Sequence, residues 1–232
     1  MNHNAAGEVV AIDPVSDPRW AQLTDGPHGS LFTSGSWLRA LRRTYGFDFD
    51  ARVLLEGAVP VSGVASVRVD DIRGSRIVSL PFCDYADPVV SDDAHWGVLS
   101  DPLFEQGIPV RARATQGSAW EADDRLRVVN ETRWHGVDLS PDLDAIWTGL
   151  GQSARRAVRK AEKNGVEIRL ARDLSDVRAF HDLHCGIRRS KYGMLTQPVE
   201  LFENLWHEFA PSERFALLLA AVDDVVVGGT LY

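Results

Sequence analysis

Apolar and polar positions change period several times along this chain, and each change marks an element. In "SGSWLRALRRTY", Trp37, Leu38 and Leu41 recur at helical spacing, which predicts a helix over 34–45. A serine can cap its start and Gly46 can close it. The runs "ARVLLEGAVPVSGVASVRV" and "SRIVSLPF" that follow are β-rich and punctuated by Gly57, Gly63 and Gly74, as expected of consecutive antiparallel strands. "CDYADPVV" has the Asp and Pro content of a loop. Residues 92–105 predict a second helix, and "PVRARATQ" and "RLRVVN" predict further strands.

A new unit is expected to start near Trp134, giving units 1–133 and 134–232. "HGVDLS" reads as a short strand. "SPDLDAIWTGL" reads as a helix with Pro141 in its first turn and Ile146, Trp147 and Leu150 on one face. A basic helix follows, then the strand "VEIRL". Ser175 is expected to cap a helix in which Val177, Phe180, Leu183, His184 and Ile187 share a face. Pro198 opens another, with Leu201, Phe202, Leu205, Trp206 and Phe209 inward. "FALLLAAVDDVVVGGTLY" predicts two strands joined at Asp223-Asp224. The order predicts a mixed α/β fold with mainly antiparallel sheets. The sequence stops at Tyr232 inside a predicted strand, and an uncovered edge is a liability. The expectation is that the second unit is incomplete.

Composition narrows the function classes. Lys and Arg number 25 against 33 Asp and Glu, a net charge of −8, which argues against a surface built throughout for nucleic acid. The two cysteines, Cys83 and Cys185, make no disulfide framework and fit a reducing compartment. The N-terminus lacks the pattern of a signal peptide, and no apolar run approaches the roughly twenty residues of a membrane span. The cytoplasm is therefore the expected location, with peripheral contact to a membrane surface left open.

One segment departs from this acidic background. In "GQSARRAVRKAEKNGVEI", Arg155, Arg156, Arg159, Lys160 and Lys163 stand against Glu162 alone between Ser153 and Gly165. Ala154, Ala157, Val158 and Ala161 fall at i, i+3, i+4 and i+7, a narrow stripe that predicts close packing on a sheet. The helix dipole accounts for cations near the C-terminus but not for Arg155 and Arg156, which the sequence places in the first turn. A solvated helix also normally interleaves Glu with Lys for i,i+4 pairing. Two readings compete here, a bound anion and a plainly solvated face.

Several other signatures fail. "GLGQSA" matches G-x-G-x-x-A but follows a predicted helix where a dinucleotide site needs a strand. The acyl-CoA loop pattern Q/R-x-x-G-x-G/A fails because Ile146 stands at its first position. "HDLHC" puts His181, His184 and Cys185 on one helical face, but no fourth zinc ligand follows at sensible spacing, and a buried structural cysteine is the commoner case than a nucleophile. No G-x-S-x-G elbow and no P-loop is found.

With these residues in view, the sequence resembles the FemAB-type transferases. Arg156, Arg159, Lys160, Ala161, Lys163, Gly165 and Val166 match the family's R-x-x-[IV]-R-K-A-x-K-x-G-V run as they stand. "GSRIVSLPFCDYADPVV" is similar to its "SLPFSDYxxP" strand-loop, with Cys83 in place of a small polar residue. "IRRSKYGMLTQPVELFENLW" is similar to its basic-Gly-x-x-x-Gln-Pro segment and aromatic helix. The resemblance implies two N-acetyltransferase-like domains, the second truncated here, and a substrate cleft. It implies transfer of an acyl or aminoacyl group onto an amine of a cell-envelope, polysaccharide or lipid-linked precursor. The best-known members use aminoacyl-tRNA and a muropeptide.

On that footing Arg155, Arg156 and Arg159 are the candidate anion binders, with Lys160 and Lys163 behind them and Arg189, Lys191 and Tyr192 facing the same substrate. Asp84 and Tyr85 are the candidate polar groups at the reacting amine, Asp84 as proton acceptor or as orienter. The bland readings are a turn aspartate beside a packed tyrosine, and for "RRSKYG" a helix end that favours cations. Acyl-CoA and aminoacyl-tRNA both remain open as donors, and no metal is expected. The expected partners are an anionic or lipid-linked substrate and a tRNA donor. A non-catalytic adaptor that keeps the basic helix is the alternative.

Overall fold

Asp17 caps the first helix, α1 (Pro18–Thr24), by accepting the Arg19 N–H, and Ser34 caps the second, α2 (Gly35–Tyr45), by accepting the Trp37 N–H. Gly46 ends α2 at φ 71°, in the left-handed region the sequence reserved for it. These elements belong to a computed structural model that describes residues 7–26, 29–212 and 214–232. The extreme N-terminal stretch read above therefore begins outside the described residues. The chain divides into two compact units, Met1–Val129 and Asn130–Tyr232.

The first unit is a five-stranded sheet. Strands β1 (Glu8–Ile12), β2 (Phe49–Glu56), β3 (Val59–Asp71) and β4 (Gly74–Val78) are antiparallel neighbours, and β5 (Val110–Arg111) pairs parallel with β4. Trp20 of α1 packs over Gly63, where an added Cβ would lie 3.2 Å from the Trp20 ring. Leu54, Val64 and Ile77 of the sheet meet Trp96, Leu99 and Leu103 of helix α3 (Ala94–Phe104), with Trp120 completing the core. Asp13, just beyond β1, takes a bidentate ion pair from Arg42 of α2 at 2.7 and 2.9 Å. That guanidinium holds its carboxyl well below the usual carboxylate range.

Two predicted strands are cut short here. "PVRARATQ" pairs only through Val110 and Arg111, because beyond them Thr115 is captured by the Asp87 carboxylate at 2.6 and 3.1 Å. "RLRVVN" forms no strand. Asp123 accepts the Arg125 N–H and turns the chain, then holds the Arg125 guanidinium and the Trp96 indole N–H.

The second unit holds helices α4 (Leu143–Gly149) and α5 (Gln152–Lys163), strand β6 (Glu167–Leu170), helices α6 (Leu174–Ser190) and α7 (Val199–Phe209), and strands β7 (Leu217–Val222) and β8 (Val225–Leu231). The sheet runs β6-β7-β8, all antiparallel. The β7–β8 turn places Asp223 and Asp224 at φ 48° and 64°, as a two-residue hairpin with right-handed strand twist demands. Leu217, Leu219 and Ala221 alternate inward, on a sheet that α6 packs against. Phe180 of α6 presses so closely on β8 that a Cβ at Gly229 would sit 2.8 Å from its ring.

Three local expectations in this unit need correcting. "HGVDLS" finds no partner strand and stays irregular, with Val137 and Leu139 exposed. Asp142 caps α4 by accepting the Ala145 N–H at 2.7 Å, which leaves Pro141 just outside the helix. Asp173 caps α6 by accepting the Ser175 and Asp176 N–H groups, so Ser175 lies inside the first turn instead of before it. A carboxylate at that position outcompetes a hydroxyl because it accepts both bonds.

Candidate functional site

In the first unit the "LPFCDYADP" loop is fixed at both ends and bare in the middle. Cys83 is buried and donates its thiol to the Leu80 carbonyl at 3.0 Å. Burial pushes that thiol up to about 11, so it is a structural group. The Cys83 carbonyl accepts from Arg113, and Asp87 anchors the far end on Thr115. Between these anchors Phe82 adopts φ 56°, unusual for a bulky residue, and stacks on Tyr45 at 4.5 Å. Asp84 is exposed and makes no hydrogen bond to another described residue. Tyr85 is half-buried and edge-on to Phe32 at 5.5 Å, and Phe32 is edge-on to Trp37 at 5.2 Å.

The loop thus sits on an aromatic platform supplied largely by α2. Two of its polar atoms, the Trp37 indole N–H and the Tyr45 hydroxyl, are buried without a hydrogen-bond partner. A buried orphan of this kind costs about 1–3 kcal/mol, which native structures rarely tolerate without a use. In the sequence Trp37 marks only a helical repeat with Leu38 and Leu41, and nothing singles out Tyr45 or Phe82. Only the spacing Trp37…Tyr45 on one helix, opposite an aromatic loop, could have hinted at them.

In the second unit the basic helix is formed as expected, from Gly151 to a Gly165 at φ 71°. Its amphipathic geometry is as drawn, with the five cations opposite the Ala154, Ala157, Val158 and Ala161 stripe. Two features differ. The helix has no buried residue, and Val158 is 40% exposed, so the stripe is not pressed on the sheet. The helix also starts at Gln152, and the Arg155 N–H already bonds to the Gly151 carbonyl. Arg155 therefore closes the first turn and Arg156 begins the second, which weakens the dipole argument for a bound anion at that end. What remains is charge. Arg155, Arg156, Lys160 and Lys163 make no ion pair with any described residue, and Arg159 lies 5.8 Å over the Trp147 ring of α4. That α4 precedes "GLGQSA" removes the strand a dinucleotide loop requires.

The remaining candidates gather where α6 ends. Arg189 is exposed in its last turn, Lys191 is the capping residue, and the Lys191 ammonium lies 5.3 Å over the Tyr192 ring. No hydrogen bond or ring contact joins these three to the cations of α5 among the described residues. Beside them the Cys185 sulfur is 3.7 Å from His181 Nδ1 and 3.5 Å from Nε2. Near-equal distances to the two ring nitrogens put the sulfur over the face of the imidazole. A thiol aligned for proton transfer would point at one lone pair. Cys185 is thus packed on His181 in the manner of a sulfur–ring contact, not poised as a nucleophile. No group of three His, Cys, Asp or Glu side chains suited to a metal ion occurs among the described residues.

Comparison with known proteins now bears on these two units. Residues 151–232 match the family model described as the acetyltransferase (GNAT) domain. The fold as a whole is similar to that in the crystal structure of FemX, with a TM-score of 0.55 over 93% of this chain at 16% identity. The chain has a FemX-type fold. The FemAB-type resemblance read from its motifs is therefore borne out in the backbone, as is the mixed, mainly antiparallel architecture. The chain spans 58% of the FemX chain. No curated protein matches it. Among the described residues, no helix of this FemX-type fold is long and apolar enough to cross a membrane.

Proposed function

We propose that this chain belongs to an N-acyltransferase that moves an acyl or aminoacyl group onto an amine of a cell-envelope, polysaccharide or lipid-linked precursor. The observation that carries this reading is the acetyltransferase-domain match over residues 151–232 within a FemX-type fold. The chemistry asks for a neutral amine, aligned reactants and stabilisation of the developing oxyanion, and it needs no protein nucleophile. That agrees with the packed, unaligned Cys185.

In this reading the "FCDY" loop serves the acceptor. Asp84, exposed and unpaired, orients the amine or takes its proton, Tyr85 borders it, and the orphaned Trp37 and Tyr45 donors meet its polar atoms. Arg155, Arg156 and Arg159, seconded by Lys160 and Lys163, hold phosphate groups of a substrate, since guanidinium forks, exposed at Arg156 and Arg159 and half-buried at Arg155, suit that geometry. Arg189, Lys191 and Tyr192 add a second cationic contact. The donor is either acyl-CoA or an aminoacyl-tRNA, and the cytoplasm supplies both.

A second reading, a non-catalytic anion-binding module, draws on one observation: no residue between Asp124 and Ser175 is buried, so α5 presents its charge on an open surface. Turnover separates the two. The protein is incubated with labelled acetyl-CoA or aminoacyl-tRNA and with nucleotide-linked or lipid-linked amines. Transfer of label supports the enzyme. Binding without transfer from either donor supports the module. An anionic precursor at a hundred times its Kd should stabilise the protein by about 2.7 kcal/mol. The double substitution Arg155→Ala/Arg156→Ala is expected to abolish that gain without lowering the stability of the free protein. Retention of the full gain would remove α5 from the site.

A further inference from the structure

The chain between α6 and α7, residues 191–198, carries Lys191 and Tyr192 and is held by a row of side chains on one face of α6. His181, His184 and Arg188 stand at i, i+3 and i+7. His181 Nε2 lies 3.0 Å from the Gln197 main-chain carbonyl, and His184 Nε2 lies 2.9 Å from the Gln197 side-chain oxygen. Arg188 donates to the Leu195 carbonyl at 3.3 Å, and the Met194 N–H donates to the Arg188 carbonyl at 3.0 Å. The connection is thus tied to α6 at both of its ends.

The protonation of the two rings follows from their partners. Carbonyl oxygens only accept, so Nε2 of each imidazole carries a hydrogen and donates it. Neither ring is free to turn. Phe202 of α7 flanks both, at 5.4 Å in each case, Phe180 stacks on His184, and the Cys185 sulfur covers a face of His181. Gln197 is thereby gripped through its main chain and its side chain together, directly before the Pro198 that caps α7. A residue whose only task was to fill space would not need both oxygens engaged by fixed donors.

We infer that His181, His184 and Gln197 form a clasp that holds the 191–198 loop and so positions Lys191 and Tyr192, next to Arg189 in the last turn of α6, for the anionic substrate. The three act through the loop and touch no reacting atom, so they are positioning residues. The inference rests on the substrate reading given above, which assigns Arg189, Lys191 and Tyr192 to that ligand. It also gives a physical role to the Gln-Pro pair of the sequence and to two histidines that neither metal binding nor nucleophilic catalysis employs.

The test uses the whole chain and inorganic pyrophosphate as the probe. Gln197→Ala removes the oxygen that His184 holds. Gln197→Glu keeps an acceptor there. The Met194 amide, untouched by either change, reports how firmly the loop is docked. The Gln197→Ala protein is expected to exchange that amide about tenfold faster, as loss of about one net hydrogen bond implies. Its pyrophosphate affinity is expected to fall by a similar factor, and the Gln197→Glu variant to recover both. Ring nitrogen NMR should show the Nε2–H tautomer of His184 in the parent protein and a mixed population in Gln197→Ala. Circular dichroism of the variants confirms that they fold. Arg189→Ala/Lys191→Ala provides the control that tests the substrate reading itself. If the parent binds pyrophosphate and this control does not, while Gln197→Ala binds and exchanges like the parent, the clasp is refuted and the reading survives. If the parent shows no pyrophosphate binding, the substrate reading fails and the positioning role with it. Weakened binding in Gln197→Ala that Gln197→Glu does not restore also refutes the clasp, since the acceptor oxygen would then be irrelevant.

Discussion

Tyr45 and Trp37 carry polar atoms that the protein buries and leaves unsatisfied. For Tyr45, burial also pushes the hydroxyl above its ordinary pKa, so it stays a neutral donor at physiological pH. Such an atom weakens the folded state and gains value only when a ligand oxygen meets it. Tyr45→Phe keeps the ring stacked on Phe82 and removes the orphan. The expected result is a protein about 1 kcal/mol more stable, seen as a higher urea midpoint, with weaker acceptor binding. A loss of stability instead would mean that the hydroxyl has a partner in solution and is no ligand contact. Neither residue announced itself in the sequence. A tryptophan or tyrosine at helical spacing reads as core, and whether its polar end is satisfied depends on atoms that arrive from distant segments.

Asp176 joins two elements that the sequence predicted separately. Its carboxylate takes a bidentate pair from Arg169 of β6 at 2.6 and 2.7 Å and the Arg172 N–H at 2.8 Å, fastening the strand to the first turn of α6. Arg169 lowers its pKa to about 2, against a burial that by itself would raise it. A depressed carboxylate pKa means stability that is fully present above about pH 4 and drains away as pH falls toward 2. Asp176→Asn is therefore expected to cost about 2 kcal/mol at pH 7, with the gap to the parent closing as the pH is lowered through that window. Denaturant unfolding at a series of pH values measures it, and a gap that is constant with pH would show that the ion pair is not the cause. The helix cap at Asp173 belongs with this cluster. Its sequence neighbour Ser175 was the nominal cap, but "RDLSD" offers three candidate acceptors and the choice among them falls to the one that can reach two N–H groups at once.

The two units meet the world differently. The first packs Trp20, Leu38, Leu41, Trp96 and Trp120 into buried cores, while the stretch from Asp124 to Ser175 in and before the second buries nothing. Between Arg127 and Asp142 the chain has neither regular structure nor burial until a bend just before α4. Limited trypsin treatment should therefore cut first at Arg127 or Arg133, giving fragments that correspond to the two units. First cuts inside β2–β4 would contradict this partition. The acetyltransferase-domain match begins at Gly151, so the basic helix opens the matched region instead of lying in a linker.

Helix ends, hairpin turn and strand runs were legible in the residues because they are local. Ser34, Gly46, Gly165 and the Asp223-Asp224 pair each impose a backbone state on their immediate neighbours, and alternation in "FALLLAAV" requires only that one side be apolar. The likeness to FemAB-type proteins was legible for the same reason, since it rests on short contiguous motifs. What could not be read were outcomes set by competition at long range. "RLRVVN" has strand chemistry, but Asp123, Ser100 and Asp101 claim its arginine first. The α5 stripe has packing chemistry, yet no residue of that helix is buried. The grip of His181 and His184 on Gln197 exists only because α6, α7 and the loop between them fold back on one another, an arrangement that no periodicity in one dimension encodes.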